Sequence, residues 1–226
     1  FGPDLTAQLK AKLKGAAGLQ LIRRPGRDGR QVGKMHRCYL VWAEQGVMEL
    51  VLLTEPEKIL DLDLTGPGRN GGGALERPLV LVCTHAKRDT CCAVKGRPLA
   101  AELVADYPDL VWETSHTKGH RFAPSVMLMP WGYSFGRMNK EVAAQMIAAA
   151  AKGKYFYPAN RGRGIFGPRG QVAELAVARS LIDVGEDLAY GQLIAADDGV
   201  VSHADGRRWR VALEEREVED CLLYTS

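Results

Sequence analysis

The alternation between apolar and polar segments is clearest in the middle of the chain. Residues 78–83 (P-L-V-L-V-C) form a short, fully apolar run, which is typical of a strand buried on both faces of a sheet. A helix is predicted to open at Arg97-Pro98, because proline is favoured in the first helical turn. The elements predicted after that point are the rest of this helix to about residue 107, a strand at 110–113, a hairpin of strands at 125–129 and 133–137, and a helix at 140–151.

Further periodic segments flank this central unit on both sides. The predicted elements are a helix at 5–14 and strands at 19–23, 37–43 and 48–53 before the unit, and a helix at 171–184 and strands at 192–196, 200–203 and 209–214 after it. A glycine-rich run at 66–73 is typical of a loop or linker and suggests a boundary. We therefore predict an α/β protein with a strand-rich N-terminal segment (1–76), a central domain (77–153), and a C-terminal segment (154–226) whose helix and strands pack on the rest.

Composition and charge are ordinary for a soluble globular protein and exclude several functional classes. Of the 226 residues, 46% are hydrophobic and 25% are charged, and a net charge of +3 is too small to indicate nucleic-acid binding. No apolar run approaches the roughly 18 residues of a membrane span, and the first residues lack the apolar core of a signal peptide. The five cysteines do not indicate a disulfide scaffold. We therefore expect a cytoplasmic, reducing setting, in which paired Cys and His residues bind metal.

The candidate chemistry is carried by two thiols and two imidazoles in the central domain. Cys83 ends the apolar run, Cys92 follows after eight residues, and three residues separate His116 from His120. Thiolate together with imidazole suits zinc, copper or an iron–sulfur cluster rather than magnesium or calcium. The eight-residue spacing is longer than the tight turn between the thiols of common zinc sites, and a binuclear cluster is larger than one zinc ion. A [2Fe–2S] cluster is the interpretation we favour, with Cys91 as an alternative ligand to Cys92.

Three other interpretations stay open at this point. Two Cys and two His are also a common ligand set for structural zinc. A thiol redox enzyme would use the cysteines directly, although the adjacent Cys91-Cys92 pair differs from the familiar C-x-x-C spacing. A G-x-G-x-x-G run at 162–167 precedes a predicted helix, but Pro158 interrupts the segment before it. We interpret that run as a loop, beside a helix N-terminus that could hold an anion.

Two motifs resemble those of the sucrase/ferredoxin-like family, whose core is similar to the thioredoxin-like [2Fe–2S] ferredoxins. They are C-T-H-A-K-R-D-T-C-C-A-V-K-G-R-P-L-A and W-E-T-S-H-T-K-G-H-R-F-A-P, and the resemblance is closest over 78–151. It implies a thioredoxin-like ferredoxin core, a mixed sheet flanked by helices, with an additional lobe built from the N- and C-terminal segments. It also implies that Cys83 and Cys92 bind one iron while His116 and His120 bind the other, in place of a C-x3-C pair. We find no pair of catalytic carboxylates for the sucrose hydrolysis that the family name suggests.

These ligands lead us to expect proton-coupled one-electron transfer, by an electron carrier or a reductase component rather than a hydrolase. Two neutral imidazoles make the site less negative than four thiolates, so it is easier to reduce; the comparable exchange in Rieske centres gives roughly −150 to +300 mV, against about −400 mV for plant-type ferredoxins. The second ring N–H of each histidine couples electron uptake to a proton, and the potential should then fall as pH rises. Thr84, Thr114 and Ser115 are expected to donate hydrogen bonds to sulfur.

The partner expected from the charges is a redox protein with an acidic face, such as a flavoprotein reductase or another ferredoxin. The ligand-bearing segments are basic; the residues concerned are Lys87, Arg88, Lys95, Arg97, Lys118 and Arg121. The two remaining cysteines, Cys38 and Cys221, are expected to be a buried structural thiol and an unmodified thiol, with no role in the cluster.

Overall fold

The computed structural model describes residues 2–26, 33, 35–86, 90–117 and 120–215, apart from the side chain of His120. In chain order the elements are α1 (Pro3–Leu13), β1 (Ile22–Arg23), β2 (His36–Trp42), β3 (Val47–Leu53), a 3-10 helix (Pro56–Asp61), β4 (Gly73–Ala74), β5 (Leu79–Cys83), α2 (Thr90–Asp106), β6 (Val111–Thr114), a 3-10 helix (His120–Phe122), β7 (Val126–Met129), β8 (Tyr133–Phe135), α3 (Lys140–Ala150), β9 (Asn160–Arg163), α4 (Pro168–Asp183), β10 (Leu193–Ala195), β11 (Val200–His203) and β12 (Arg208–Arg210). The predicted α/β class is confirmed. Among the described helices, none combines the length and the apolar character that a membrane span requires.

A mixed sheet of six strands organises the molecule. Its strand order is β1-β6-β5-β7-β8-β9, with β5 and β6 parallel and every other neighbouring pair antiparallel. Helix α2 connects the two parallel strands, and α3 follows the β7–β8 hairpin. The two outer strands, β1 and β9, come from the segments before and after residues 77–153. The predicted domain boundaries themselves stay a prediction.

Strand β5 lies at the centre of the core, and all five of its residues are buried. Val80 and Val82 belong to the largest apolar cluster, together with buried side chains of α2, α3 and α4. Leu79 and Leu81 belong to a second cluster, which includes Met48 of β3. The strand is therefore covered on both faces, as its uninterrupted apolar sequence predicts.

Two smaller antiparallel sheets flank the central one. Strands β2, β3 and β4 form the first, with a turn at Gly46 between β2 and β3, and β10, β11 and β12 form the second. Strands are observed in the regions where the sequence predicts them. The strand predicted at 19–23 is shorter than expected, because only Ile22 and Arg23 pair with β6.

Helix α2 begins seven residues earlier than predicted. It starts at Thr90, so that Pro98 lies inside it rather than in its first turn. Packing explains the earlier start, because the buried residues of α2 recur with the helical period from the first turn onward; they are Cys92, Ala93, Gly96, Leu99, Ala100 and Leu103. Cys91 and Cys92 therefore lie on a helix, and not in the loop that the sequence suggested.

Strand β9 spans 160–163, so Gly162 and Arg163, the first residues of the run interpreted as a loop, lie in a strand. Its residue Arg163 is only 1% exposed, and its guanidinium donates to the backbone carbonyls of Trp131 and Ala43. The Arg163 amide donates to Glu174 of α4, which also accepts a 2.6 Å hydrogen bond from the Tyr133 hydroxyl. These polar contacts stabilise a charged strand against the apolar core.

Candidate metal centre

The segments that carry the predicted ligands meet at one edge of the central sheet. Strands β5 and β6 are parallel, so their carboxyl ends lie side by side, with Cys83 opposite Thr114. Strand β7 is antiparallel to β5, and its amino end lies at the same edge, where the Cys83 amide donates to the Ser125 carbonyl over 2.9 Å. His116 follows β6 by two residues, and His120 opens the 3-10 helix before β7. The topology thus brings distant parts of the sequence to one place.

The two predicted cysteine ligands are in one buried cluster. The side chains of Cys83 and Cys92 are 0% exposed and pack together with Ala123. Cys83 ends β5 and Cys92 lies in the first turn of α2, while the neighbouring Cys91 is exposed. Gly96, one turn further along α2, faces the backbone of Cys83, and a Cβ atom there would overlap the Cys83 carbonyl oxygen. Helix α2 therefore packs directly against the end of β5.

His116 lies beside this cluster, on the segment that leaves β6. Its side chain is half-buried, its Nε2 atom is fully buried, and its ring centroid is 5.9 Å from that of His85. The preceding Ser115 fixes the backbone, since its amide donates to the Leu21 carbonyl over 2.8 Å and its hydroxyl accepts from the Leu21 amide over 3.1 Å. The side chain of His120 lies outside the described part of the structure.

The structure therefore brings the two thiols into one buried cluster and leaves the complete ligand set a prediction. Within the described residues, no three His, Cys, Asp or Glu side chains form a group able to hold a metal ion. His120, one of the four predicted ligands, is not among the described side chains. Two buried thiols, one at the end of β5 and one in the first turn of α2, are suited chemically to binding a thiophilic metal and to forming a disulfide.

The hydroxyl groups near the edge hydrogen-bond to carboxylate and amide oxygens of the protein, and not to sulfur as predicted. Thr84 Oγ1 donates to the buried carboxylate of Glu113 over 3.0 Å, and the guanidinium of Arg23 binds the same oxygen. The hydroxyls of Thr114 and Ser115 both donate to Gln20 Oε1, over 3.2 and 2.9 Å. Each hydroxyl has a single proton. These contacts therefore fix the ends of β5 and β6 instead of the sulfur atoms.

The surface around the edge is basic where it is described. Lys95, Arg97 and Arg121 are exposed. The other predicted basic residues, Lys87, Arg88 and Lys118, lie outside the described residues. The buried carboxylate of Glu113 is paired with Arg23, so it adds little net negative charge to this face.

The cysteines outside the candidate centre differ from each other. Cys38 lies on β2 and packs on an apolar cluster that includes Leu40, Leu53 and Leu62, and burial raises the pKa of its thiol. Both observations agree with the structural thiol that the sequence suggested. Cys221 lies outside the described residues.

The glycine-rich run at 162–167 has no room for an anion at the adjoining helix. The carboxylate of Asp197 already occupies the N-terminus of α4, where it accepts a 2.8 Å hydrogen bond from the Gly170 amide. A Cβ atom at Gly167, the residue that precedes α4, would overlap the same carboxylate. The helix terminus is therefore capped from within the chain, and the predicted anion site there is wrong.

Gly96 is a residue of the site that the sequence analysis missed. Gly96 interrupts an otherwise apolar helix pattern four residues after Cys92, and a glycine in that position is a recognisable sign of close backbone approach.

A model of the sucrase/ferredoxin-like family matches residues 26–162 and so includes all four predicted ligands. No curated protein and no solved structure matches the chain.

Proposed function

This chain belongs to the sucrase/ferredoxin-like family, and we propose that it is an electron-transfer protein that carries one [2Fe–2S] cluster. The proposed ligands are Cys83, Cys92, His116 and His120. The observation that carries the proposal is that the two cysteines lie in one buried cluster, at the sheet edge where β6 leads to His116 and β7 begins. When bound, the cluster would supply one-electron redox chemistry.

The residues at this edge fit a group that binds thiolates. Thiolate ligands carry negative charge, and the N-terminus of α2, where Cys92 lies, stabilises negative charge. Cys83 is held by the backbone pairing of β5 with both of its neighbours. Both cysteine side chains are shielded from water. This shielding would protect the sulfur atoms from oxidation and the proposed iron–sulfur bonds from hydrolysis.

The topology supports the thioredoxin-like ferredoxin core as part of the same proposal. Its element order is strand, loop, helix, strand, histidine segment, hairpin and helix, which is the order expected from the sequence. Within the six-stranded sheet, the four strands of this unit lie in the order β6-β5-β7-β8. Strands from the N- and C-terminal segments extend this unit at its two edges.

The histidines and the basic surface define the kind of electron transfer that we propose. Neutral imidazole ligands favour a higher potential than thiolates do, because the site is less negative. Exposed Lys95, Arg97 and Arg121 favour a redox partner with an acidic face, such as a flavoprotein reductase or a ferredoxin. The coupling of the electron to a proton stays a prediction.

The decisive test is to purify the protein without air and to record its absorption spectrum, with iron, sulfide and zinc assayed on the same sample. We expect a red-brown protein with about two irons and two sulfides per chain, and after reduction with dithionite a rhombic EPR signal like that of Rieske centres. A colourless protein that holds one zinc would overturn the proposal in favour of a structural zinc module.

A second candidate function, thiol–disulfide exchange, is favoured by one observation. Cys83 and Cys92 lie in one buried cluster, and the exposed Cys91 precedes Cys92 in the first turn of α2. This function predicts a colourless protein, even after reconstitution with iron and sulfide, that reduces a disulfide substrate without iron. The Cys83→Ser and Cys92→Ser variants should then lose the disulfide-reducing activity.

A further inference from the structure

A pocket of about 140 Å³ lies at the opposite end of β5 from the candidate metal centre. It is formed between the β2–β3 hairpin and the start of β5, where Leu79 is part of its wall. Leu79 and Cys83 are the first and last residues of β5, which places them roughly 13 Å apart along the strand. The pocket is therefore separate from the proposed cluster site.

Three guanidinium groups converge on this pocket. Arg24, Arg37 and Arg77 line it, together with Tyr39 and leucine side chains. Asp109 is the one acidic side chain among the described residues that line it, and it lies 3.8 Å from Arg24 and 3.5 Å from Arg77. The lining thus carries two positive charges in excess. No described carboxylate forms an ion pair with Arg37.

The most buried of the three arginines is held in place by its neighbours. The Arg24 guanidinium lies over the Trp112 ring, 4.0 Å from its centroid, and donates a hydrogen bond to the Pro108 carbonyl. Arg37 approaches the same ring at 6.0 Å. Burial lowers the pKa of Arg24, and the charges of Arg37 and Arg77 lower it further. Like charges held this close repel one another unless an anion lies between them.

We propose that this pocket binds a small dianion, whose two negative charges are carried by oxygen atoms. A phosphate group and a short dicarboxylate share this chemistry. The planar guanidinium group donates two parallel hydrogen bonds to such oxygen pairs, which makes arginine the usual residue for both ligands. The ligand would neutralise the two excess charges, and the leucine walls favour a compact molecule over an extended polyanion.

The test is calorimetric titration of the whole protein with inorganic phosphate and, separately, with malonate, at a constant ionic strength set with chloride. We expect at least one of the two to bind in a one-to-one ratio, and their relative affinities distinguish a phosphate site from a dicarboxylate site. Arg37→Gln should weaken binding about tenfold or more, because it removes a charge-assisted hydrogen-bond donor. Arg77→Gln, which changes a mostly exposed side chain, should also weaken it.

Arg208→Gln is the matched control, because it removes the same charge from an exposed position on β12, in another sheet. The affinity of this variant should stay within about twofold of the wild-type value, because the dissolved salt screens charges on distant parts of the surface. The proposal is overturned if neither anion binds, or if Arg208→Gln weakens binding as much as Arg37→Gln does. Neither result depends on iron, so this test stands apart from that of the proposed function.

Discussion

The backbone carbonyl of Cys83 occupies the space where a side chain of Gly96 would begin. Helix α2 can approach the end of β5 this closely only because residue 96 has no Cβ atom. The same approach places Cys92, one helical turn earlier, in the buried cluster that contains Cys83. One glycine therefore determines the position of one thiol relative to the other.

Gly96→Ala should consequently displace α2 from β5. We expect the free energy of unfolding to fall by about 1 to 3 kcal/mol, because overlap with a backbone atom outweighs the better helix propensity of alanine. Iron content after anaerobic reconstitution should fall as well. Denaturant unfolding and iron assay check both outcomes. Gly18→Ala, where a Cβ meets open space, is the control and should change neither quantity; equal effects in both variants would contradict the packing argument.

The exposure of the two adjacent thiols in the structure leads to a second prediction. Cys92 lies in the buried cluster with Cys83, whereas Cys91 is exposed. Cys92→Ser should therefore abolish cluster binding, while Cys91→Ser should retain about two irons per chain. Iron and sulfide assays on the two variants, prepared side by side, measure this difference. The opposite pattern would identify Cys91 as the ligand and require α2 to rotate on binding.

The proposed histidine ligation leads to a third prediction. His116→Cys replaces a neutral ligand with an anionic one, so the reduction potential should fall, by on the order of 100 mV or more given the gap between Rieske and four-cysteine clusters. A potentiometric titration followed by EPR measures the change. His85→Asn alters the ring that lies beside His116 and should shift the potential much less. Equal shifts in the two variants would argue against His116 as a direct ligand.

The buried carboxylate of Glu174 leads to a fourth prediction, on stability. Burial raises its pKa from 4.5 to about 7, so the folded protein holds this proton more tightly than the unfolded chain does. The stabilisation is complete below about pH 4.5 and is lost as pH rises toward 7 and beyond. The free energy of unfolding should thus fall by about 2 kcal/mol between pH 5 and pH 8 on account of this residue.

Glu174→Gln should remove that part of the pH dependence while keeping an oxygen that accepts the Tyr133 hydroxyl. Urea unfolding at pH 5 and pH 8 measures the difference between the variant and the wild type. Glu102→Gln, at an exposed position of α2, is the control and should show the same pH dependence of the unfolding free energy as the wild-type protein. An unchanged pH dependence in the Glu174 variant would mean that another group is responsible.

The central part of the fold was predictable because its elements are separated by strong local signals. The apolar strand that ends at Cys83, the turn at 130–132 and the proline at 108 each fixed a boundary to within two residues. The start of α2 was predicted too late, because Pro98 is of a type favoured in the first helical turn. The helical spacing of buried residues, which begins at Cys92, indicates the earlier start. The burial of α2 against β5 is a tertiary contact, which a local sequence signal does not report.

The contacts that sequence reasoning missed depend on residues distant in sequence. Arg163 looked like part of a basic loop, yet it is buried because the carbonyl of Ala43 accepts a hydrogen bond from it, 120 residues away. The arginines at 24, 37 and 77 are scattered in the sequence and converge only through the pairing of the strands. The four-ligand set was proposed from the sequence alone, and the described residues show only that its two cysteines lie in one buried cluster.

The hydrogen bonds between Ser115 and Leu21 have a consequence for the speed of the proposed reaction. They tie the segment that leads to His116 to the outer strand of the sheet, on the side away from β5. A ligand whose backbone is held in this way moves little when the charge of the metal changes. The reorganisation energy of electron transfer would then be small, so a modest difference in potential between the protein and its partner would suffice for rapid exchange.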